Sequence, residues 1–598
     1  MVSKSEVLKN RFGHSGFRAM QEEAVDALLA NRDLLMILPT GGGKSLCYQL
    51  PTALMRGTTV VVSPLIALMH DQVTALQSLD FEAQMLSSSQ SSDENADVLR
   101  SLRQGKLDFL YVAPERLSDS FLLDLLQRIE INFFVIDEAH CVSEWGHEFR
   151  DDYRKLHRLR QLFRNVPIAA FTATATLKVQ SDISMQLGLD NQVELRGEIF
   201  RDNLLINVRR RQKNGRSQLI EFLKAHKDSS GIVYTFTRKE SEQVAHFLSD
   251  KGFSAKAYHA GLSSEIRNEV YHDFVHDKID IVVATIAFGM GIDKSNIRFV
   301  VHMSLPKTLE NYYQEIGRAG RDGLESEVLL LFNGNDEYAR RELIMNLPQS
   351  PYKELAFNKL DQTYRFALGS ECRHMIIARY FNDKIDACAN RCDNCQRGEV
   401  EQSDITIDSQ KLLSTVYRCN QNFGQNHIID VLRGSEGVKI KQNFHNELSV
   451  YGIGKDRGKN EWDAICERLF EVGALERGEY RVLKIASFGE RVLKKLDEVT
   501  IDSDRLIKKD TIALQVQDEQ GSVPHFEKFR TLRMQIAQDR EVPAYIVFSD
   551  KTLRDMANKL PQTKEEMLKV SGVGEVKFER FGDQFLDLCI ELKSDGYE

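Results

Sequence analysis

Short apolar runs punctuate the first 340 or so residues of the chain. They are Leu34–Leu38, Thr59–Val62, Phe133–Ile136, Ile168–Phe171, Ile232–Tyr234, Ile281–Ala284 and Phe299–His302. They are rich in Val, Ile and Phe and do not alternate with polar residues. Such runs predict parallel strands buried on both faces. The amphipathic stretches between them leave room for crossover helices. Two α/β lobes fit this length better than one, with the break near Arg201, after "LRGEIFRDN". Beyond about residue 340 the strand runs stop. A cysteine cluster spans 372 to 395, and polar "QRGEVEQSD" then reads as a linker. Residues 405 to 510 mix helix-like and short strand-like pieces with glycine turns. A second linker, "QVQDEQGSVP", leads to a helical piece from about 524 to 598.

Composition adds limits. At 598 residues the chain has room for about three to five domains, and 42% apolar residues suffice for real cores. The N-terminal "MVSKSEVLKNRFGHSG" lacks the apolar region of a signal peptide. No apolar run reaches the ~18 residues of a membrane span. A cytoplasmic protein is expected, nucleoid-associated if bacterial, with its nine cysteines reduced. Net charge is -9. A nucleic-acid partner must therefore be met by local Lys/Arg patches rather than by bulk charge.

The chemistry begins at "ILPTGGGKSLCYQLP", which follows a buried strand and opens a helix. Thr40, Gly41, Gly42 and Gly43 let backbone N–H groups approach phosphate oxygens. The helix N-terminus adds its dipole. Lys44 is placed to reach β/γ phosphates, and Ser45 to ligate Mg²⁺. The strict phosphate-loop pattern fails at its first position, which is Leu38. "FFVIDEAHC" sets Asp137 and Glu138 at a strand's carboxyl end, where ligands bind in open α/β sheets. Asp137 is the candidate Mg²⁺ holder, and Glu138 the candidate base for an attacking water. His140 reads either as a satisfied polar residue or as a coupling group. In "YYQEIGRAGRDG", Arg318 and Arg321 share one face if the segment is helical. Arginines from a second lobe can stabilise charge on a transferring phosphoryl group. "ATIAFGMGIDK" offers a further glycine-rich turn after a strand.

Cys372, Cys388, Cys392 and Cys395 read C-x15-C-x3-C-x2-C, a ligand set for tetrahedral Zn²⁺. An iron–sulfur cluster is the lesser alternative. Cys47, Cys141, Cys419, Cys466 and Cys589 read as small packing residues.

These segments together resemble a known set. "PTGGGKS", "DEAH", "FTATAT", "ATIAFGMGID" and "QEIGRAGR" follow the order of superfamily 2 helicases. "FGHSGFRAMQ", "LCYQLP", "VVSPLIALMHDQV", "YVAPERL", "DEAHCVSEWGHEFR" and "YHAGL" resemble RecQ-type DNA helicases. The resemblance implies two RecA-like doubly wound parallel-sheet lobes, then a zinc-binding helical platform, a winged-helix domain and a small all-α C-terminal domain of the helicase-and-RNase-D type. The corresponding divisions are 1–200, 201–340, 341–402, 403–515 and 524–598. It implies ATP- and Mg²⁺-dependent 3′-to-5′ translocation on single-stranded DNA, unwinding of duplex DNA, and a structural zinc. DNA repair, recombination and the SOS response are the family's setting.

By the same resemblance Gln21, with Arg18, reads the adenine, and the arginine finger falls on Arg318 or Arg321. The family's Phe-Arg-Pro-Gly-Gln is Phe17-Arg18-Ala19-Met20-Gln21 here, which bears on the loop's geometry. "SEWGHEFR" resembles the family's aromatic-rich loop, making Trp145, His147, Phe149 and Arg150 residues that touch DNA and report it to the ATP site. Bases stack on such aromatics for ~1–3 kcal/mol each. In the winged helix, "YGIGKDRGKNEW" offers Lys455, Arg457 and Lys459 as exposed contacts to forked duplex DNA. Single-strand-binding protein and other repair factors are the implied partners, and a monomer the working state. Two alternatives stand beside this reading: an RNA helicase sharing Asp-Glu-Ala-His, and a non-enzymatic binding or annealing scaffold.

Overall fold

The computed structural model describes residues 3–87, 90–146, 150–227, 229–286, 288, 294–506, 525–540 and 542–594. The first lobe is built on seven parallel strands. They are β1 (Leu34–Ile37), β2 (Thr58–Val62), β3 (Ala83–Leu86), β4 (Phe109–Val112), β5 (Ile131–Ile136), β6 (Ile168–Thr172) and β7 (Val193–Arg196). Their spatial order is β3-β4-β2-β5-β6-β1-β7. The second lobe has β8 (Leu204–Arg210), β9 (Ser230–Tyr234), β10 (Ala255–Tyr258), β11 (Ile281–Ala284), β12 (Ile297–His302) and β13 (Ser326–Phe332), in the order β10-β11-β9-β12-β13-β8.

The unbroken apolar runs follow from burial on both faces. In β1, Leu35 and Ile37 enter one core while Leu34 and Met36 enter the other. In β5, Phe134 and Ile136 part from Phe133 and Val135 in the same way. A two-residue side-chain period across a doubly covered sheet requires this split. The second sheet divides likewise, with Val233 and Val283 on one side and Ile232 and Val282 on the other.

The second lobe does not end at its sheet. Val328, Leu330 and Phe332 of β13 share one core with Leu360 and Tyr364 of the helix Pro351–Leu368 and with Cys372, Cys388 and Cys392. The winged-helix region has its own core around the helices Thr406–Arg418, Gln425–Leu432 and Lys459–Glu471. A hairpin of Leu475–Arg477 and Leu483–Ile485 projects from it. It is tied to the second lobe at Glu337, which is fully buried and takes Arg341 at 2.6 Å, Arg477 at 2.8 Å and Arg481 at 3.1 Å. A buried carboxylate is tolerable only with such partners.

The C-terminal helical module, Phe526–Asp539 through Asp583–Ser594, packs against both lobes. A Cβ at Gly13 would lie 2.6 Å from the Gly574 nitrogen, so backbone meets backbone there. Arg580 donates to Gln77 O at 3.1 Å and pairs with Asp80 of the first lobe. Arg533 lies 3.5 Å from Asp277 of the second lobe, whose carboxylate also takes Lys294. The second linker lies outside the described residues. Among the described residues no helix is long and apolar enough to cross a membrane.

Candidate active site and nucleic-acid interface

The phosphate loop joins β1 to the helix Lys44–Thr52. Gly41 and Gly43 have φ of +83° and +81°, conformations that side chains other than glycine resist. Space forbids a side chain as well. A Cβ at Gly41 would sit 3.1 Å from the Arg321 Cα, and one at Gly43 would sit 2.4 Å from Gln21 Nε2. The loop is thus pressed between the first motif and the second lobe. Lys44 Nζ donates to Leu38 O at 3.0 Å. Thr40 and Ser45 line the same cavity.

Gln21 and Arg18 hold that loop. Gln21 Nε2 donates to Gly43 O at 3.2 Å, Gln21 Oε1 accepts from Arg18 N at 2.8 Å, and Arg18 Nη1 donates to Gly41 O at 2.9 Å. Met20 has φ of +65°, a left-handed conformation at the position where the family motif carries glycine. The backbone path is kept in spite of the side chain, at about 1–2 kcal/mol.

Asp137 follows β5. Its N–H still bonds Val62 O at 2.9 Å, which fixes the carboxylate at the sheet's edge. Asp137 Oδ1 accepts from Glu138 N at 2.9 Å. Burial first, then Glu138, pushes the Asp137 carboxyl up to about 7, with Lys44 pulling the other way. A dication favours the ionised form, so the site suits a metal better than it suits solvent. Glu138 has φ of +48°. His140 Nδ1 lies 3.3 Å from Glu138 Oε2 and 3.0 Å from Thr172 Oγ1 of β6. Burial works against charge on His140, but the Cys141 sulfur and Glu138 outweigh it and hold its pKa above the usual range. His140 therefore joins the acids to "FTATAT", where Thr172 Oγ1 donates to Thr174 O at 3.1 Å.

The second lobe faces this cluster. The helix Leu309–Ile316 stops at Gly317, so Arg318 and Arg321 lie in the following turn and not on one helical face. That corrects the spacing argument, because glycines at 317, 320 and 323 end the helix. Arg201 fastens the turn by donating to Gly317 O at 3.0 Å, Ala319 O at 2.9 Å and Gly320 O at 2.6 Å. The sequence reading missed this residue. Its only signal was an arginine beside the break between lobes. A cavity of about 370 Å³ brings together Gln21, Lys44, Asp137 and Glu138 of the first lobe with Gln314, Arg318 and Arg321 of the second.

Trp145 packs on the first lobe's core, and Lys178 Nζ lies 3.0 Å from its ring centroid. One ring face is therefore covered by a cation instead of standing free for a base. Arg150 Nη1 donates to Pro64 O at 2.9 Å, and its N–H bonds Cys141 O at 3.1 Å. His147 and Phe149 lie outside the described residues, as do Gly289 and Gly291 of the second glycine-rich turn.

The four cysteine sulfurs lie within 4.8 Å of one another. Cys372 caps the helix Arg373–Tyr380, and Cys392 Sγ accepts from Cys395 N at 3.4 Å. Arg373 grips Asp393 at 2.9 and 3.0 Å, and Asp393 Oδ2 accepts from Val208 N at 3.3 Å. The set offers four sulfurs and is joined to β8, which fits a structural Zn²⁺ with no open position. The other five cysteines are buried.

In the winged helix, Lys455 is exposed. Arg457 is not a free contact. It pairs with Asp408 and Glu461, both at 2.8 Å, and in the same turn the buried Trp462 donates from Nε1 to Gly454 O. The projecting group is Tyr480, 75% exposed at the hairpin tip with φ of +56°. "ERGEYR" hid it, since three-residue strands leave almost no alternation to read.

Five family models match the chain. They are described as DEAD/DEAH box helicase over residues 18–183, Helicase conserved C-terminal domain over 215–323, RecQ zinc-binding over 335–396, RQC domain over 399–510 and HRDC domain over 525–589. The ATP-dependent DNA helicase RecQ of Haemophilus influenzae is 40% identical over 595 residues, covering 98% of this chain and 96% of that protein. The ATP-dependent DNA helicase RecQ of Bacillus subtilis is 38% identical over 584 residues, covering 97% of each. The ATP-dependent DNA helicase Q-like 2 of Arabidopsis thaliana is 34% identical over 600 residues, covering 97% of this chain and 82% of that protein.

Proposed function

The chain belongs to the RecQ family of ATP-dependent DNA helicases, and on that premise we propose that it translocates 3′ to 5′ on single-stranded DNA with Mg²⁺-ATP, serving repair and recombination. The observation that carries this reading is the shared cavity, where both lobes supply charged groups to one space. Lys44 and the loop N–H groups hold the β/γ phosphates. Gln21, with Arg18, reads the adenine edge. Ser45 and Asp137 are the holders of Mg²⁺, which supplies charge neutralisation when bound. Glu138 orients the attacking water and accepts its proton. Arg318 or Arg321 meets the transferring phosphoryl group. Because the arginines and the acids sit on different lobes, nucleotide binding draws the lobes together and product release lets them part.

The loop bearing Trp145, His147, Phe149 and Arg150 couples DNA to this chemistry, since it follows Asp137 and Glu138 within one short stretch of chain. For a base to stack on Trp145, Lys178 must yield its place over the ring. Lys455 contacts duplex backbone near the fork, and Tyr480 is placed to part the strands. We read lobe one as 1–200, lobe two as 201–340, the zinc platform as 341–402, the winged helix as 403–515 and the C-terminal module as 524–598, working as a monomer with single-strand-binding protein among its partners. The test is unwinding of partial duplexes. With Mg²⁺ and ATP, a 3′ single-stranded tail should support strand separation and a 5′ tail should not. Equal use of both tails, or activity without Mg²⁺, would contradict the proposal.

A further inference from the structure

Lys359 lies on the helix Pro351–Leu368, which shares its core with the second lobe. Its side chain is only 12% exposed, and it joins two distant places. Nζ donates to the backbone carbonyl of Trp145 at 3.1 Å and pairs with Glu310 Oε1 at 2.7 Å. Trp145 sits in the first lobe, in the loop that follows the two catalytic acids. Glu310 sits in the first turn of the helix Leu309–Ile316, whose other end leads into the turn of Arg318 and Arg321. All eight residues of that helix are buried. Gln314, one turn along from Glu310, lines the nucleotide cavity. The Glu310 carboxylate also faces Tyr380 of the zinc platform.

From this arrangement we infer that Lys359 is a positioning residue that transmits the state of the Trp145 loop to the helix leading to the second lobe's arginines. The inference rests on the reading that the Trp145 loop senses DNA. Its physical basis is that the bond to the Trp145 carbonyl crosses between lobes while the pair with Glu310 does not. Lys359 and Glu310 travel together on the second lobe's side of the cleft. The Trp145 carbonyl travels with the first lobe. When the loop moves to take a base, the carbonyl moves with it, and the half-buried ammonium must follow or lose an acceptor. A half-buried ammonium short of acceptors is costly, so the loop's position biases the helix bearing Glu310. A lysine kept only for packing would need no acceptor on the opposite lobe.

The test uses the zinc-loaded full chain and oligo-deoxythymidine. Steady-state ATP hydrolysis is measured with and without DNA for Lys359→Met, for the double variant Lys359→Met/Glu310→Gln, and for Trp145→Ala. Met keeps the aliphatic stem, and Gln removes the charge that the single change strands. The ratio of DNA-stimulated to basal kcat should fall about tenfold in both Lys359 variants, within the span of coupling energies carried by single residues. Basal kcat and the KM for ATP should stay near those of the parent. The double variant should melt near the parent, which separates lost coupling from lost fold. A double variant that keeps full stimulation overturns the inference. If Trp145→Ala loses stimulation while the Lys359 variants keep it, the loop reading survives and the Lys359 inference fails. If Trp145→Ala itself keeps full stimulation, the loop reading fails and takes this inference with it.

Discussion

Glu138→Gln is expected to lower kcat for ATP hydrolysis about a thousandfold while leaving ATP binding within a few-fold of the parent. The substitution keeps the side chain's shape and its reach toward His140, 3.3 Å away. It removes the ability to accept a proton from water, a role worth roughly a hundred- to ten-thousand-fold. The neighbouring Asp137 cannot replace it, because its Oδ1 is committed to the Glu138 N–H and its place at the sheet edge is fixed by Val62. Lys44→Ala should behave differently and lose affinity for nucleotide as well as rate, since Lys44 is assigned to the phosphates. Phosphate release together with equilibrium binding of a non-hydrolysable ATP analogue makes the distinction. A Glu138→Gln enzyme within tenfold of the parent would remove Glu138 from the chemistry.

Cys392→Ser is expected to lose stoichiometric zinc and to lower the melting temperature by roughly 10 °C or more. The effect should reach beyond the cluster. Cys392 bridges Ile206 of β8, and the Arg373–Asp393 pair beside it holds the Val208 N–H of the same strand. Among the described residues β8 is the edge strand of its sheet, next to β13. Its free side is therefore completed by the zinc platform, and metal removal should loosen the second lobe's outer strand. Metal analysis with thermal unfolding in a strong chelator checks this. A variant that retains full zinc, or an apo protein that melts with the parent, would contradict the assignment.

The central strands were legible because burial on both faces leaves unbroken apolar runs, as in "LLMI" and "FFVI". Edge strands were not. "AKAY" of β10 and "VELR" of β7 are half-covered and carry mixed residues. β4, "FLYV", and β13, "SEVLLLF", are interior strands that carry the same signal as the strands that were found and were passed over. The phosphate loop, the acids and the cysteine set were readable because each is a local string whose chemistry depends on its own spacing. What pairs over long sequence separations was not. Arg201 on the arginine turn and Lys359 on the Trp145 carbonyl join residues over a hundred positions apart. Arg457 misled for a related reason: one of its two carboxylate partners, Asp408, is 49 residues away, and the local text showed only Glu461.

The central claim is that DNA in the groove drives hydrolysis between the lobes. Steady-state ATP hydrolysis with Mg²⁺, compared without nucleic acid, with single-stranded DNA and with RNA of equal length, tests it most directly. The account predicts strong stimulation by DNA and little by RNA. Equal stimulation by RNA, or a rate that ignores nucleic acid altogether, would contradict it.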